Sequence, residues 1–162
     1  MNKITKSLLI MLVASLCFIS FSCQQTESNE LFVYGNWTST TSVSYSIGLF
    51  GITMKDSSGN KTYSGSNLTI IPYSATAGMI FIKLTSALKT NGVTYTELAS
   101  ESSDIGNWVG FLYKDLTSIS LSIKKASKSS GKTSMSTLNE AISEFSIDNG
   151  YFSEFDYCYR SL

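Results

Sequence analysis

The 162-residue chain has no histidine, a single proline (Pro72) and a single arginine (Arg160). Each scarcity excludes something. Without imidazole there is no Ser-His-Asp set, no cysteine–histidine pair and no histidine-ligated metal. Gly48 and Gly51 bracket Leu49 and Phe50, but neither the lysine nor the helix of a phosphate loop follows, so no cofactor is implied. Charge is also sparse, at 15% of residues. Its one basic grouping, Lys124, Lys125, Lys128 and Lys132, is loose and gives nucleic acid no electrostatic footprint. Carboxylate groups such as Glu97, Glu101 and Asp104, and the pair Glu154 and Asp156, could in principle serve a two-carboxylate glycosidase. Acids alternating along a strand ordinarily mark a solvated face. The chain reads as non-catalytic, with a glycan-acting enzyme the least favoured reading.

No apolar run is long enough to span a bilayer comfortably. The longest, residues 8–19, follows Lys3 and Lys6 and precedes Ser20, Phe21, Ser22 and Cys23. This is the layout of an export signal. A cysteine directly after a small residue suits a bacterial lipoprotein, since its thiol can take a diacylglyceryl thioether. Ser20-x-Ser22 also fits ordinary signal cleavage, which leaves a Cys23–Cys158 disulfide as the alternative. The domain reading is a signal peptide at residues 1–22, a lipidated Cys23 with a flexible tether to residue 30, and a β-barrel domain at 31–162. Loss of Lys3 and Lys6 leaves 10 basic residues against 12 acidic, a net charge of −2. The expected location is the bacterial cell envelope, on a membrane held through the N-terminal lipid. Cys17 leaves with the signal, and Cys158, between Tyr157 and Tyr159, reads as a small buried hydrophobe.

The mature chain alternates in the manner of strands. Val43, Tyr45, Ile47 and Leu49 share one face, and the phase slips to Ile52 and Met54 after Gly51, which predicts a bulge. Residues 61–73 form the return strand, with Leu68 and Ile70 on one face. Ile80, Ile82 and Leu84 align in 78–85, and Asn91-Gly92 is a hairpin signal leading into a strand at 94–98. Residues 106–114 set Val109, Phe111 and Tyr113 against Trp108 and Leu112. Their partner, 118–125, points Ile119, Leu121 and Ile123 inward and Ser118, Ser120 and Ser122 outward. Residues 126–136 read as a solvated loop. Leu138, Ala141, Ile142 and Phe145 then fall on one helical stripe that packs on the barrel. Thr137 and Glu140 make a capping box at its start. Residues 151–159 are the closing strand, with Phe155, Tyr157 and Tyr159 on one face. The fold class is mainly β: a small antiparallel barrel of seven or eight strands with one helix in the C-terminal half.

Two resemblances rest on these residues. Gly35-Asn36-Trp37 before the first strand resembles the Gly-x-Trp of lipocalin-like barrels, in which a tryptophan at the closed end stacks under an arginine. That likeness implies a Trp37–Arg160 cation–π pair. The run from Trp108 to Leu121 (WVGFLYKDLTSISL), with the run from Thr137 to Asn149 (TLNEAISEFSIDN), is similar to the C-terminal half of a family of treponemal lipoproteins. This resemblance implies an envelope lipoprotein with a lipocalin-like fold and adds no catalytic residue.

Function is then expected from binding. Tyr45, Tyr63, Phe111, Tyr113 and Tyr151 are candidates to line a barrel mouth that holds a small apolar ligand or a host molecule. The alternative is a filled barrel of the inhibitor type, bound to a protein partner.

Overall fold

The computed structural model describes residues 33–59, 61–90, 95–98 and 104–161. The segments expected to be an export signal and tether, Cys23, and the Asn91-Gly92 hairpin signal lie outside them. Nine strands run in the order β1 (Gly35–Ser39), β2 (Ser44–Gly48), β3 (Gly51–Lys55), β4 (Lys61–Pro72), β5 (Gly78–Thr90), β6 (Tyr95–Leu98), β7 (Trp108–Lys114), β8 (Ser120–Lys125) and β9 (Asp156–Ser161). One helix, α1 (Leu138–Glu144), separates β8 from β9.

Every pairing is antiparallel. Around the sheet the order is β4-β3-β2-β1-β9-β8-β7-β5, and β5 pairs back onto β4, so eight strands close a barrel. β6 adds to the far end of β5, with Thr90 opposite Tyr95. The described residues form a small lipocalin-like barrel with one helix. Closure leaves none of the eight strands with a free edge. The first and last strands form the seam, with Trp37 directly opposite Arg160.

Strand parity decides what is inside. Trp37, Tyr45, Ile47, Ile52, Ile80, Ile82, Leu84, Val109, Phe111, Tyr113, Leu121, Ile123 and Cys158 make one buried cluster. The aligned residues of β5 and β7 sit there as their alternation predicts. The opposite parity of β5 and β7 (Met79, Phe81, Leu112) builds a second cluster outside the wall with Ala141 and Phe145 of the helix. The helix therefore covers β7 and β5. Its capping box is present: the Glu140 amide donates to Thr137 Oγ1 at 3.2 Å, and the Thr137 amide donates to Glu140 Oε2 at 3.0 Å.

Several expectations are corrected. The phase slip at Gly51 is a two-residue hairpin turn, not a bulge: Gly48 pairs with Gly51, and Leu49 and Phe50 form the tip. A Cβ at Gly51 would overlap the Gly65 carbonyl oxygen, so that glycine serves the close approach of β3 and β4. The register instead shifts between Met54 and Lys55 in β3 and at two places in β4, between Ser64 and Gly65 and around Asn67, whose φ is 54°. Ile119 precedes β8 and is exposed, because the strand starts one residue later. Ser120 and Ser122 do point away from the interior but are buried, with hydroxyls bonded to Thr117 and Asp115. Ile142 lies at the solvent edge of the helical stripe. The 126–136 segment is solvated except at Ala126 and toward its end at Met135. Ala126 and Met135 are buried, and Met135 exchanges two backbone hydrogen bonds with Trp108, at 2.7 and 2.9 Å.

Candidate functional site

The five candidate mouth aromatics do not converge on a hollow. Phe111 and Tyr113 are fully buried at the centre of the interior. Tyr151 is not on the closing strand at all. It lies outside the barrel, edge-on to Phe145 with ring centroids 5.1 Å apart, and donates to Glu144 Oε1 at 2.6 Å. Only Tyr45 and Tyr63 remain near one end of the barrel. Tyr45 is buried and donates to Asp156 Oδ2 at 2.5 Å. Tyr63 is half-buried, and the Lys125 ammonium sits 4.5 Å from its ring centroid.

These pairs form a polar layer across that end. Burial, then the bond to Asp156, raises the Tyr45 pKa well above the phenol range, so the hydroxyl stays neutral and donates. Burial lowers the Lys125 pKa, opposed by the charge of Asp104. Tyr45 is spent on Asp156 and Lys125 on the Tyr63 ring, which suits a structural layer.

The other sequence candidates also resolve into structure. Asp104 accepts from Thr133 Oγ1 at 3.1 Å and from Ser134 Oγ at 2.6 Å, bracing the loop before α1. The side chains of Glu97 and Glu101 lie outside the described residues. Asp156 is held by Tyr45 while Glu154 is exposed, so these two acids have different surroundings. Among the described residues no cluster of His, Cys, Asp or Glu could hold a metal. Cys158 is a free, fully buried thiol whose pKa is pushed up to about 12 by burial and then by Asp156, while Cys23 lies outside the described residues. Thr137 and Glu140 belong to the helix cap.

Trp37 and Arg160 lie together. The guanidinium carbon is 4.3 Å from the indole centroid. Trp37 Nε1 donates to the Val33 carbonyl at 2.8 Å, which folds the incoming chain over the barrel floor. Arg160 donates through Nε to the Ser118 carbonyl and through Nη1 to the Tyr34 carbonyl, both at 2.9 Å. Val33 and Leu116 are buried beside them. This end of the barrel is closed.

What sequence reading missed is the outer wall over β9, β1, β2 and β3. Tyr157 and Tyr159 are exposed and stack edge to face, 5.1 Å apart. Next to them lies a shallow depression of about 340 Å³, lined by Asn36, Thr38, Ser44, Ser46, Thr53 and Ser161, with Lys55 at its rim. The hydroxyls are partly bonded to one another: Thr38 with Ser161 at 2.7 Å, and Ser46 donating to Asn36 at 2.7 Å. The signal was present in the outward parity of β1, β2 and β9, which carries Ser, Thr, Asn and Tyr with scarcely a charge. Compared with known protein families, curated proteins and solved structures, the chain finds no match in any of the three.

Proposed function

We propose that this chain is a bacterial cell-envelope lipoprotein of the kind its C-terminal half resembles, held on a membrane through a diacylglyceryl-modified Cys23. Its barrel is a non-catalytic scaffold that recognises a macromolecular partner, a protein or host molecule, from its outside. The observation that carries this reading is the occupied interior: Trp37, Tyr45, Phe111 and Tyr113 fill it from the closed floor to the polar layer. A container for a small apolar ligand needs several hundred cubic ångströms of apolar space. The space described here lies on the outer wall instead. That wall offers tyrosine faces together with hydroxyl and amide groups, the side-chain set that antibody surfaces use for large contact area at low entropic cost. The absence of histidine from the sequence agrees with a binding role.

Two measurements test it. A photoreactive amino acid in place of Tyr159 should cross-link to a partner on intact cells, while one in place of Ser58, in the β3–β4 turn, should not. A fluorescent fatty acid should show no saturable one-to-one uptake. Saturable uptake abolished by Val109→Trp would return the reading to a small apolar ligand.

A further inference from the structure

In an up-and-down barrel, successive connections alternate between the two ends. One end here carries the β2–β3 tip, the β4–β5 loop at 73–77 and the β7–β8 loop at 115–119, together with the start of β1 and the finish of β9. It is the closed end. The loops are tied together, because the Leu116 amide donates to the Thr76 carbonyl at 3.0 Å and Arg160 holds Ser118. From this end project Leu49, Phe50, Tyr73 and Ile119, exposed by 66%, 84%, 57% and 68%. The three connections contain one charged side chain, Asp115, which accepts from Ser122 at 3.3 Å, and the strand ends beside them add only Lys114 and Arg160. At the opposite end stand Lys55, Asp56, Lys61, Asp104, Lys124, Lys125 and Asp156. The barrel is polarised along its axis.

Four large apolar side chains at one charge-poor end are not the scattered singles of an ordinary surface. The chain itself indicates what covers them. Val33 and Tyr34 enter at this same end, with the Tyr34 carbonyl bonded to Arg160. Cys23 lies only ten residues upstream of Val33, a span of at most about 35 Å for an extended chain. We infer that the closed end docks on the bilayer surface, with Leu49, Phe50, Tyr73 and Ile119 seated at the boundary between headgroups and acyl chains.

This inference rests on the reading of Cys23 as a lipidated anchor. The anchor holds the loops within tens of ångströms of the surface, where even weak insertion is populated at a high effective concentration. A rigid end with aromatic and aliphatic tips suits shallow interfacial burial, about 5–10 Å deep. Docking this way turns the polar end toward the aqueous side and stands the Tyr157–Tyr159 wall upright.

The test uses the mature lipidated chain reconstituted on phosphatidylcholine vesicles with and without brominated acyl chains. With Phe50→Trp, the added emission should shift to the blue and be largely lost on brominated vesicles. With Ser58→Trp, at the opposite end, it should do neither. A Tyr73→Trp reporter should lose its quenching several-fold when Leu49 and Phe50 are both changed to Ser. A lipidated, vesicle-bound chain whose Phe50→Trp emission ignores bromine would overturn the docking alone. An unmodified Cys23 by mass spectrometry would overturn the anchoring reading, and the docking with it. Shielded Phe50→Trp emission without vesicles, growing with protein concentration, would assign the loops to a second copy of the chain and likewise overturn the docking.

Discussion

Arg160 lies across the face of Trp37, its guanidinium carbon 4.3 Å from the ring centroid, and the same guanidinium bonds the carbonyls of Ser118 and Tyr34. One side chain thus joins the first strand, the last strand, the β7–β8 loop and the incoming chain. A cation–π contact contributes about 0.5–2 kcal/mol, and each hydrogen bond from a charged donor about 1.5–3. Because the side chain is partly exposed, the sum is discounted, and Arg160→Ala should cost about 2 kcal/mol in urea unfolding. Arg160→Lys should recover less than half of that, since an ammonium has no planar fork to stack and bond at once. Equal stability of the alanine variant and the parent would show the contact to be idle.

Gly35 should tolerate nothing larger. Its φ of 142° suits glycine, and an added Cβ would stand 2.7 Å from Arg160 Nη1. Gly35→Ala should destabilise by about 2 kcal/mol through strain and displacement of the guanidinium. In the Arg160→Ala background the penalty should shrink, because the steric part has gone. A double-mutant cycle that is strictly additive would contradict this coupling.

The helix cap gives an acid-side prediction. Thr137→Ala should cost about 1 kcal/mol, as one first-turn amide loses its acceptor. Hydrogen bonds from Ser136 and Thr137 hold the Glu140 pKa below its ordinary 4.5. A depressed acid contributes stability above its unfolded pKa and loses it as pH falls through the folded value. Acid unfolding of Thr137→Ala should therefore begin from a lower plateau and show a shallower loss below pH 4.5 than the parent. A parallel pair of pH curves would remove Glu140 from the cap.

The alkaline side is governed partly by Cys158. Its pKa rises from 9.0 unfolded to about 12 in the barrel. A raised acid favours folding fully below the unfolded value and less with each step of pH above it. Between these values its contribution falls by about 1.4 kcal/mol per pH unit. Cys158→Ala should flatten the decline of stability from pH 9 to 12, whatever it costs at neutrality. An unchanged slope would place the thiol in contact with water.

Phe111→Ala tests the filled interior. Removing a fully buried phenyl ring should cost about 3–5 kcal/mol and leave a cavity. The variant should also gain binding of a small aromatic such as benzene, seen by calorimetry, which the parent lacks. Benzene binding by the parent would mean that the interior already holds free space.

Much of the barrel was legible in period-two alternation, and the reasons it failed elsewhere are local. Met79–Phe81–Leu112 and Ile80–Ile82–Val109 separate by parity alone, so both faces of β5 and β7 could be read. The tip at Leu49 and Phe50 could not, because a two-residue turn between glycines shifts the phase as a bulge would. Ile119 continues the β8 alternation in sequence while standing beyond the strand. The candidate site was the least legible part. Aromatic type does not tell an interior from a rim or an outer wall: Tyr45 is buried inside the barrel and Tyr151 outside it against Phe145, and Asp156 and Glu144, distant or unremarkable in sequence, accept their hydroxyls. The Tyr157–Tyr159 wall and the apolar end loops emerge only when strand parity and loop polarity are combined across the closed sheet.

The β1–β9 seam sets when this protein can fold. It brings together groups as far apart as Tyr34 and Arg160, 126 residues in sequence, so closure depends on highly non-local contacts. The other hairpins can form as they emerge, but a sheet lacking β9 leaves β1 and β8 as open edges. The barrel therefore stays incomplete until β9 is free to pair. For an envelope lipoprotein, as proposed here, that crossed its membrane unfolded, that delay would act as a timer: the native state becomes accessible only after β9 has cleared the translocation channel.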